Sequence, residues 1–140
     1  MEYSRTTRST AAFGMPEDFM MWHPTCHHNG AGGKSAMELF DAFTTKGRYD
    51  RAGLFYMWGH SYEFDGAGNW DMIEAFCEKA GGRDDVWYAA NIEIADYAEA
   101  LSRLRTTSDC RVLYNPSCID VWVKADGKPV CVEAGKTVAV

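Results

Sequence analysis

No stretch of this 140-residue chain approaches the ~18–20 consecutive apolar residues that a membrane-spanning helix needs. Met1 to Thr10 is polar and lacks the apolar core of a secretory leader. As written, the chain reads as soluble and cytoplasmic, with no membrane partner; a missing N-terminal half would take any leader with it. There is no basic block: 14 Lys and Arg stand against 20 Asp and Glu, a net charge of −6. That argues against a nucleic-acid partner, because phosphate backbones are held by clustered cations. There is no C-x-x-C pair. The five cysteines, Cys26, Cys77, Cys110, Cys118 and Cys131, are odd in number and widely spaced. This excludes a zinc ribbon and a thioredoxin-type motif. Reduced thiols are the expectation, most of them small core residues. Internal repeats and low-complexity tracts are absent too.

What remains suits one domain with a real core. Apolar residues make up 46% of the chain and aromatics 14%, with tryptophans at positions 22, 58, 70, 87 and 122. Tryptophan faces stack on sugar rings, but each also buries a large area, so abundance alone decides nothing. Met1 to Thr10 has room for a short strand. Ser35 and Glu38 have capping-box spacing. A helix should follow, with Met37, Leu39, Phe40 and Phe43 on one face, and stop near Gly47. Leu54 to Trp58 is an apolar run ended by Gly59, which predicts a strand buried on both faces. Asn69 should cap a helix through Trp70, Ile73, Phe76 and Cys77, ended by Gly81-Gly82. Val86 to Ala89 predicts another short strand. Asn91 should cap a third helix carrying Ile94, Tyr97, Ala98 and Leu101. Arg111–Tyr114, Ile119–Lys124 and Pro129–Glu133 read as strands, the last two joined by a hairpin at Asp126-Gly127. Strands alternating with helices imply an α/β fold with a parallel sheet or part of a barrel, here with a β-rich C-terminal end.

In such sheets chemistry gathers past the carboxyl ends of strands, and His60 stands at such a place. There it could move a proton, with Glu63 or Asp65 orienting its ring. It could equally be a structural histidine beside solvated acids. A second cluster lies upstream: His23, Cys26, His27 and His28, with three of the four histidines inside six residues. The H-x-x-x-H spacing of His23 and His27 would serve one metal on a helix. Pro24, however, pushes His23 away from helical geometry. A loop could still fold Cys26 and a histidine around zinc, or simply pack its rings on Trp22. Gly30 to Gly33 with Lys34 and Ser35 does not meet the spacing of a phosphate-binding loop.

Longer stretches carry a resemblance. They are Tyr3-Ser4-Arg5-Thr6-Thr7, Pro16-Glu17-Asp18-Phe19, and Trp22-His23-Pro24-Thr25-Cys26-His27-His28-Asn29. Phe55-Tyr56-Met57-Trp58-Gly59-His60-Ser61-Tyr62-Glu63-Phe64-Asp65, Gly81 to Ala89 and Tyr114-Asn115-Pro116-Ser117 extend the set. Together these resemble the C-terminal half of the polysaccharide deacetylases, the NodB-homology or carbohydrate esterase family 4 group. The resemblance implies a distorted (β/α) barrel. It also implies a divalent metal, usually zinc, and removal of acetyl groups from N-acetylated carbohydrate at a carbon–nitrogen amide bond. Met57-Trp58-Gly59-His60 is similar to the family's L-x-x-H motif. By resemblance His60 is the general acid, and Met57 and Trp58 face the substrate. The family's Asp-Asp-Gly segment and its arginine-proline segment have no counterpart here. His23-Pro24-Thr25-Cys26-His27 has the length of the metal-histidine motif, with proline in place of the hydroxyl residue. The resemblance therefore implies that residues 1–140 are a partial domain, truncated within the barrel. Such a chain should be inactive alone and should depend on a missing N-terminal half or a homo-oligomer. Two other expectations stand beside it: a non-catalytic carbohydrate-binding or interaction fragment, and a small metal-binding module on Cys26, His27 and His28.

Overall fold

A computed structural model describes residues 2–46 and 52–140. Residues read above as one domain gather their contacts into two compact units, Met1–Trp87 and Tyr88–Val140. Helices and strands are mixed, as an α/β reading requires. Among the described residues the strands form three small sheets and no closed barrel.

The first unit is built on a strand–helix–strand turn of chain. Strand β1 (Cys26–His27), helix α1 (Ala36–Lys46) and strand β2 (Met57–Trp58) follow in order, and β1 and β2 pair in parallel. Parallel neighbours need a crossover of this kind. The register sets Cys26 opposite Met57 and His27 opposite Trp58. The N-terminal segment runs alongside. Ser4, Thr6, Thr10 and Ala11 donate backbone hydrogen bonds to Phe19, Trp22, Pro24 and Thr25, and Arg5 bridges Trp22 in parallel. The strand expected before Thr10 is thus a single bridge. The five-residue run at Leu54 contributes only its last two residues to a strand. Leu54 itself donates to the Phe13 carbonyl.

Helix α1 starts as its sequence predicts. The Ser35 N–H and hydroxyl donate to Glu38 Oε2, each at 2.8 Å, and the Glu38 N–H donates back to Ser35 Oγ at 3.2 Å. The stop expected near Gly47 lies outside the described residues. Leu39 and Phe40 are buried with Cys26, Ala36 and Phe76, and Phe13, Phe43, Phe55 and Met57 pack around them. Phe76 comes from α3 (Trp70–Ala80), which ends at Gly81 as expected. Between β2 and α3 lies a helix that periodicity did not predict, α2 (Ser61–Ala67). Its apolar content is too small to write a stripe. Glu63 and Asp65, read as loop acids, are helical.

The cysteines depart from expectation. Cys26 alone is buried, Cys131 is half-buried, and Cys77, Cys110 and Cys118 are exposed; all five are free thiols. Cys77 falls on the outer face of α3, and Trp70 is exposed as well.

In the second unit α4 (Asn91–Ser102) begins one residue earlier than expected, with Ala90 rather than Asn91 at the cap. The Ala90 N–H donates to Glu93 Oε2 at 2.6 Å, the third-residue half of a capping box, while alanine leaves the half expected of a capping side chain unmade. Val86–Ala89 is not a strand. The three strands and the hairpin expected at the β-rich end are present, and two strands that were not expected, at Arg105–Thr106 and Thr137–Ala139, join them. Strands β3 (Arg105–Thr106), β4 (Val112–Tyr114) and β7 (Thr137–Ala139) form one antiparallel sheet; β5 (Val121–Ala125) and β6 (Lys128–Val132) form a hairpin. Asp126 and Gly127 turn that hairpin with φ of 48° and 80°, the left-handed pair a two-residue turn demands. Ala100, Val121 and Val132 form the core. Buried Asn115 ties it together: its Nδ2 donates to the carbonyls of Ile119 and Val132, each at 2.8 Å, and its Oδ1 accepts from Ser117.

Candidate functional site

The carboxyl ends of β1 and β2 lie side by side, so the residues that follow them meet. His27 ends β1 and His28 comes next. Gly59 and His60 follow β2, and His60 is the N-cap of α2. Glu63 is the third residue of that helix. A carboxylate there folds back onto the cap, and the His60 N–H donates to Glu63 Oε2 at 2.9 Å. This places the same oxygen 3.2 Å from His60 Nδ1, 3.2 Å from His27 Nε2 and 3.6 Å from His28 Nδ1. One carboxylate oxygen is therefore the focus of three imidazoles.

The rings differ in exposure. His28 is 3% exposed, His27 19% and His60 45%. His28 is wedged between the His27 ring at 4.0 Å and the Phe64 ring at 4.5 Å. Its Nδ1 is buried and has no hydrogen-bond partner among the described residues. The ring fits only because residue 59 is glycine. A Cβ there would overlap Nδ1 and lie 3.1 Å from both Cγ and Cε1. On the other ring, Nδ1 of His27 accepts a long hydrogen bond, 3.4 Å, from the Asn29 N–H.

Burial pushes the His28 ring below its ordinary pKa of 6.5, helped by the neighbouring His27 and opposed by Glu63. Burial works to raise the Glu63 carboxyl. The hydrogen bonds from the His60 backbone and ring outweigh it, with His27 and His60 charge adding, and hold the group below its ordinary 4.5. Both shifts make acid destabilising. Below pH 6.5 the unfolded chain protonates His28 while the folded chain resists, so stability present above 6.5 falls as pH drops. A second loss begins near 4.5 and continues as pH falls through the folded value for Glu63. The melting temperature should therefore decline in two stages from pH 8 to pH 3. His28→Gln should flatten the first stage, and Glu63→Gln should lessen the second, to which Glu38 and Asp109, also held low by hydrogen bonds, contribute; equal slopes in wild type and variants would refute the assignment.

The other sequence candidates lie elsewhere. His23 is bonded to Thr6, Nδ1 to Oγ1 at 2.6 Å, and stands in extended chain rather than on a helix face shared with His27. Cys26 is fully buried in the apolar core, and burial pushes its thiol up to about 11. It stays protonated at neutral pH, which suits neither a nucleophile nor a metal ligand. Asp65 accepts from Trp70 Nε1 at 2.9 Å and does not touch His60. Met57 packs on the core of the first unit. Trp58 lies edge-on to His27 and His60, with the Arg5 guanidinium 4.4 Å from its ring centre. Its Nε1 is buried and without a hydrogen-bond partner among the described residues.

Comparison with protein-family models, characterised proteins and solved structures finds no match for this chain. Among the described residues His27, His28 and Glu63 are a group able to hold a metal, each offering a ligand atom within 4.8 Å of the others. Sequence reasoning named both histidines but gave Glu63 only an orienting role. A signal was present: His60-Ser61-Tyr62-Glu63 repeats the cap-to-third-residue spacing of Ser35 and Glu38. Among the described residues no helix is long and apolar enough to cross a membrane.

Proposed function

We propose that this chain carries the proton-donating, sugar-facing part of a polysaccharide deacetylase-like hydrolase. Its bond would be the carbon–nitrogen amide of an N-acetylated carbohydrate, within a distorted (β/α) barrel. The observation that carries the reading is the His60–Glu63 pair. A half-exposed imidazole stands past the carboxyl end of a parallel strand, with Nδ1 held 3.2 Å from a carboxylate. Held there, the ring offers Nε2 for transfer. In amide hydrolysis, water adds to the acetyl carbon and the carbon–nitrogen bond breaks. His60 then delivers a proton to the departing amine, and acetate is the second product. The β1–α1–β2 crossover supports the barrel reading, since parallel pairs joined by a helix are its repeating unit. The exposed Tyr62, its ring stacked 5.1 Å from that of His60, offers an aromatic face at the same end.

The family's divalent metal, when bound, polarises the amide carbonyl and eases ionisation of the attacking water. The family's Asp-Asp-Gly segment has no counterpart in this sequence, and His23 of the histidine-motif stretch is bonded to Thr6, so the chain alone is expected to be inactive. The test titrates chitin oligomers into the purified chain, following the histidine and tryptophan resonances. Shifts at Trp58 and His60 that weaken when the acetyl groups are removed are expected, without acetate release. No shift overturns the sugar reading. Binding indifferent to acetylation and to His60→Ala would replace it with a plain carbohydrate-binding role. Acetate released by the isolated chain and lost in His60→Ala would overturn the inactivity.

A further inference from the structure

We infer that His27 Nε2, His28 Nδ1 and Glu63 Oε2 form a site for a single divalent transition-metal ion of the zinc class, built wholly from this chain.

Three observations carry it. The first is spacing. Zinc bonds of ~2.0–2.1 Å in tetrahedral array put neighbouring ligand atoms about 3.4 Å apart. Glu63 Oε2 is 3.2 Å from His27 Nε2 and 3.6 Å from His28 Nδ1, on either side of that edge length, and all three atoms lie within 4.8 Å of one another, so the two imidazoles draw together on ligation. The second is the orphaned nitrogen. His28 is almost fully buried, and its Nδ1 faces the other two donors with no hydrogen bond. Buried polar atoms are rarely left so, and a lone pair aimed at two other donors is what a cation would satisfy. The third is clearance. The missing side chain at position 59 opens the space that His28 Nδ1 occupies.

Chemistry then selects the ion. Two imidazoles and one carboxylate are a set used by zinc sites that keep a fourth position open, whereas calcium and magnesium favour oxygen. His60 is not one of the three but bonds the same carboxylate. Glu63 Oε2 already accepts from the His60 N–H and faces its Nδ1, so on ligation one of these bonds passes to the second carboxylate oxygen, and His60 becomes an outer partner that orients Glu63. Ligation through Nε2 requires the His27 proton to sit on Nδ1, so the long bond from the Asn29 N–H is given up. The Asn29 amide is therefore a built-in reporter.

The site does not rest on the sugar reading. A chain that binds zinc but no oligosaccharide keeps this inference and loses the other. The test titrates Zn²⁺ into the chelator-treated full chain by calorimetry and follows the amide spectrum; Co²⁺ supplies a visible absorption band and Mg²⁺ a control. One equivalent of zinc should bind, Co²⁺ should compete and Mg²⁺ should not, and the Asn29 amide should move. His27→Gln and Glu63→Gln should each weaken binding by more than the roughly 10–100-fold that outer-shell changes cost. His27 is 19% exposed against 3% for His28, so its variant keeps the test valid if His28→Gln unfolds. His23→Gln and Cys26→Ala should bind as the parent does. No binding, binding that survives His27→Gln and Glu63→Gln, or binding lost in His23→Gln or in folded Cys26→Ala overturns the site.

Discussion

Gly59→Ala is expected to lower stability by about 1–3 kcal/mol and to drive the His28 ring from its seat, the cost of overfilling a packed site. The added methyl would overlap Nδ1 of a ring that cannot swing away freely. His27 covers one side of it at 4.0 Å and Phe64 packs at 4.5 Å. The urea midpoint should fall with an unchanged slope, and the His28 ring resonances should shift most. Gly66→Ala is the internal contrast. Gly66 lies inside α2, where an added Cβ meets nothing within 4 Å. There alanine should stabilise by about 0.5–1 kcal/mol, because glycine loses more backbone freedom in a helix. If Gly59→Ala proved as stable as the parent, His28 would have room to move, and the tight seat argued above would be wrong.

Trp22→Ala should cost more, about 3–5 kcal/mol, the range for deleting a fully buried large aromatic. Trp22 is 1% exposed. Its ring meets Phe19 and Tyr56 edge-on at 5.0 Å and Tyr3 at 6.0 Å. Its backbone exchanges hydrogen bonds with Ser4 and Thr6. It therefore pins the N-terminal segment to the chain leading into β1. Trp22→Phe should be mild. The indole Nε1 is buried without a hydrogen-bond partner among the described residues, so removing that N–H relieves a desolvated donor while phenylalanine keeps most of the volume. Denaturant unfolding of the two variants separates volume from polarity. A Trp22→Ala chain within 1 kcal/mol of the parent, on the scale of ordinary surface changes, would show that the segment is held elsewhere.

Much of the fold is legible in local signals. The Ser35–Glu38 box starts α1, Gly81 ends α3, and Asp126-Gly127 turns the β5–β6 hairpin, because each depends on residues a few positions apart. Helix α2 escaped because a seven-residue helix has too few apolar positions to write a period. The Val86–Ala89 run is apolar enough for a strand but is not one; strand pairing is a property of two segments. The cysteines escaped for a related reason. A small apolar side chain carries no label for inside or outside, and only the direction of each element decides it.

The site divides the same way. Composition and motif spacing alone marked His60 as a strand-end histidine, named His27 and His28 as donors, and offered Glu63 as a group able to orient the His60 ring. Those are statements about neighbours along the chain. That Glu63 Oε2 serves three histidines at once, that His23 and Cys26 stand apart from them, and that Gly59 makes room for His28 required the tertiary structure. Parallel pairing of β1 with β2 brings residue 28 to residue 59 across 31 positions of chain, and no local preference encodes that register.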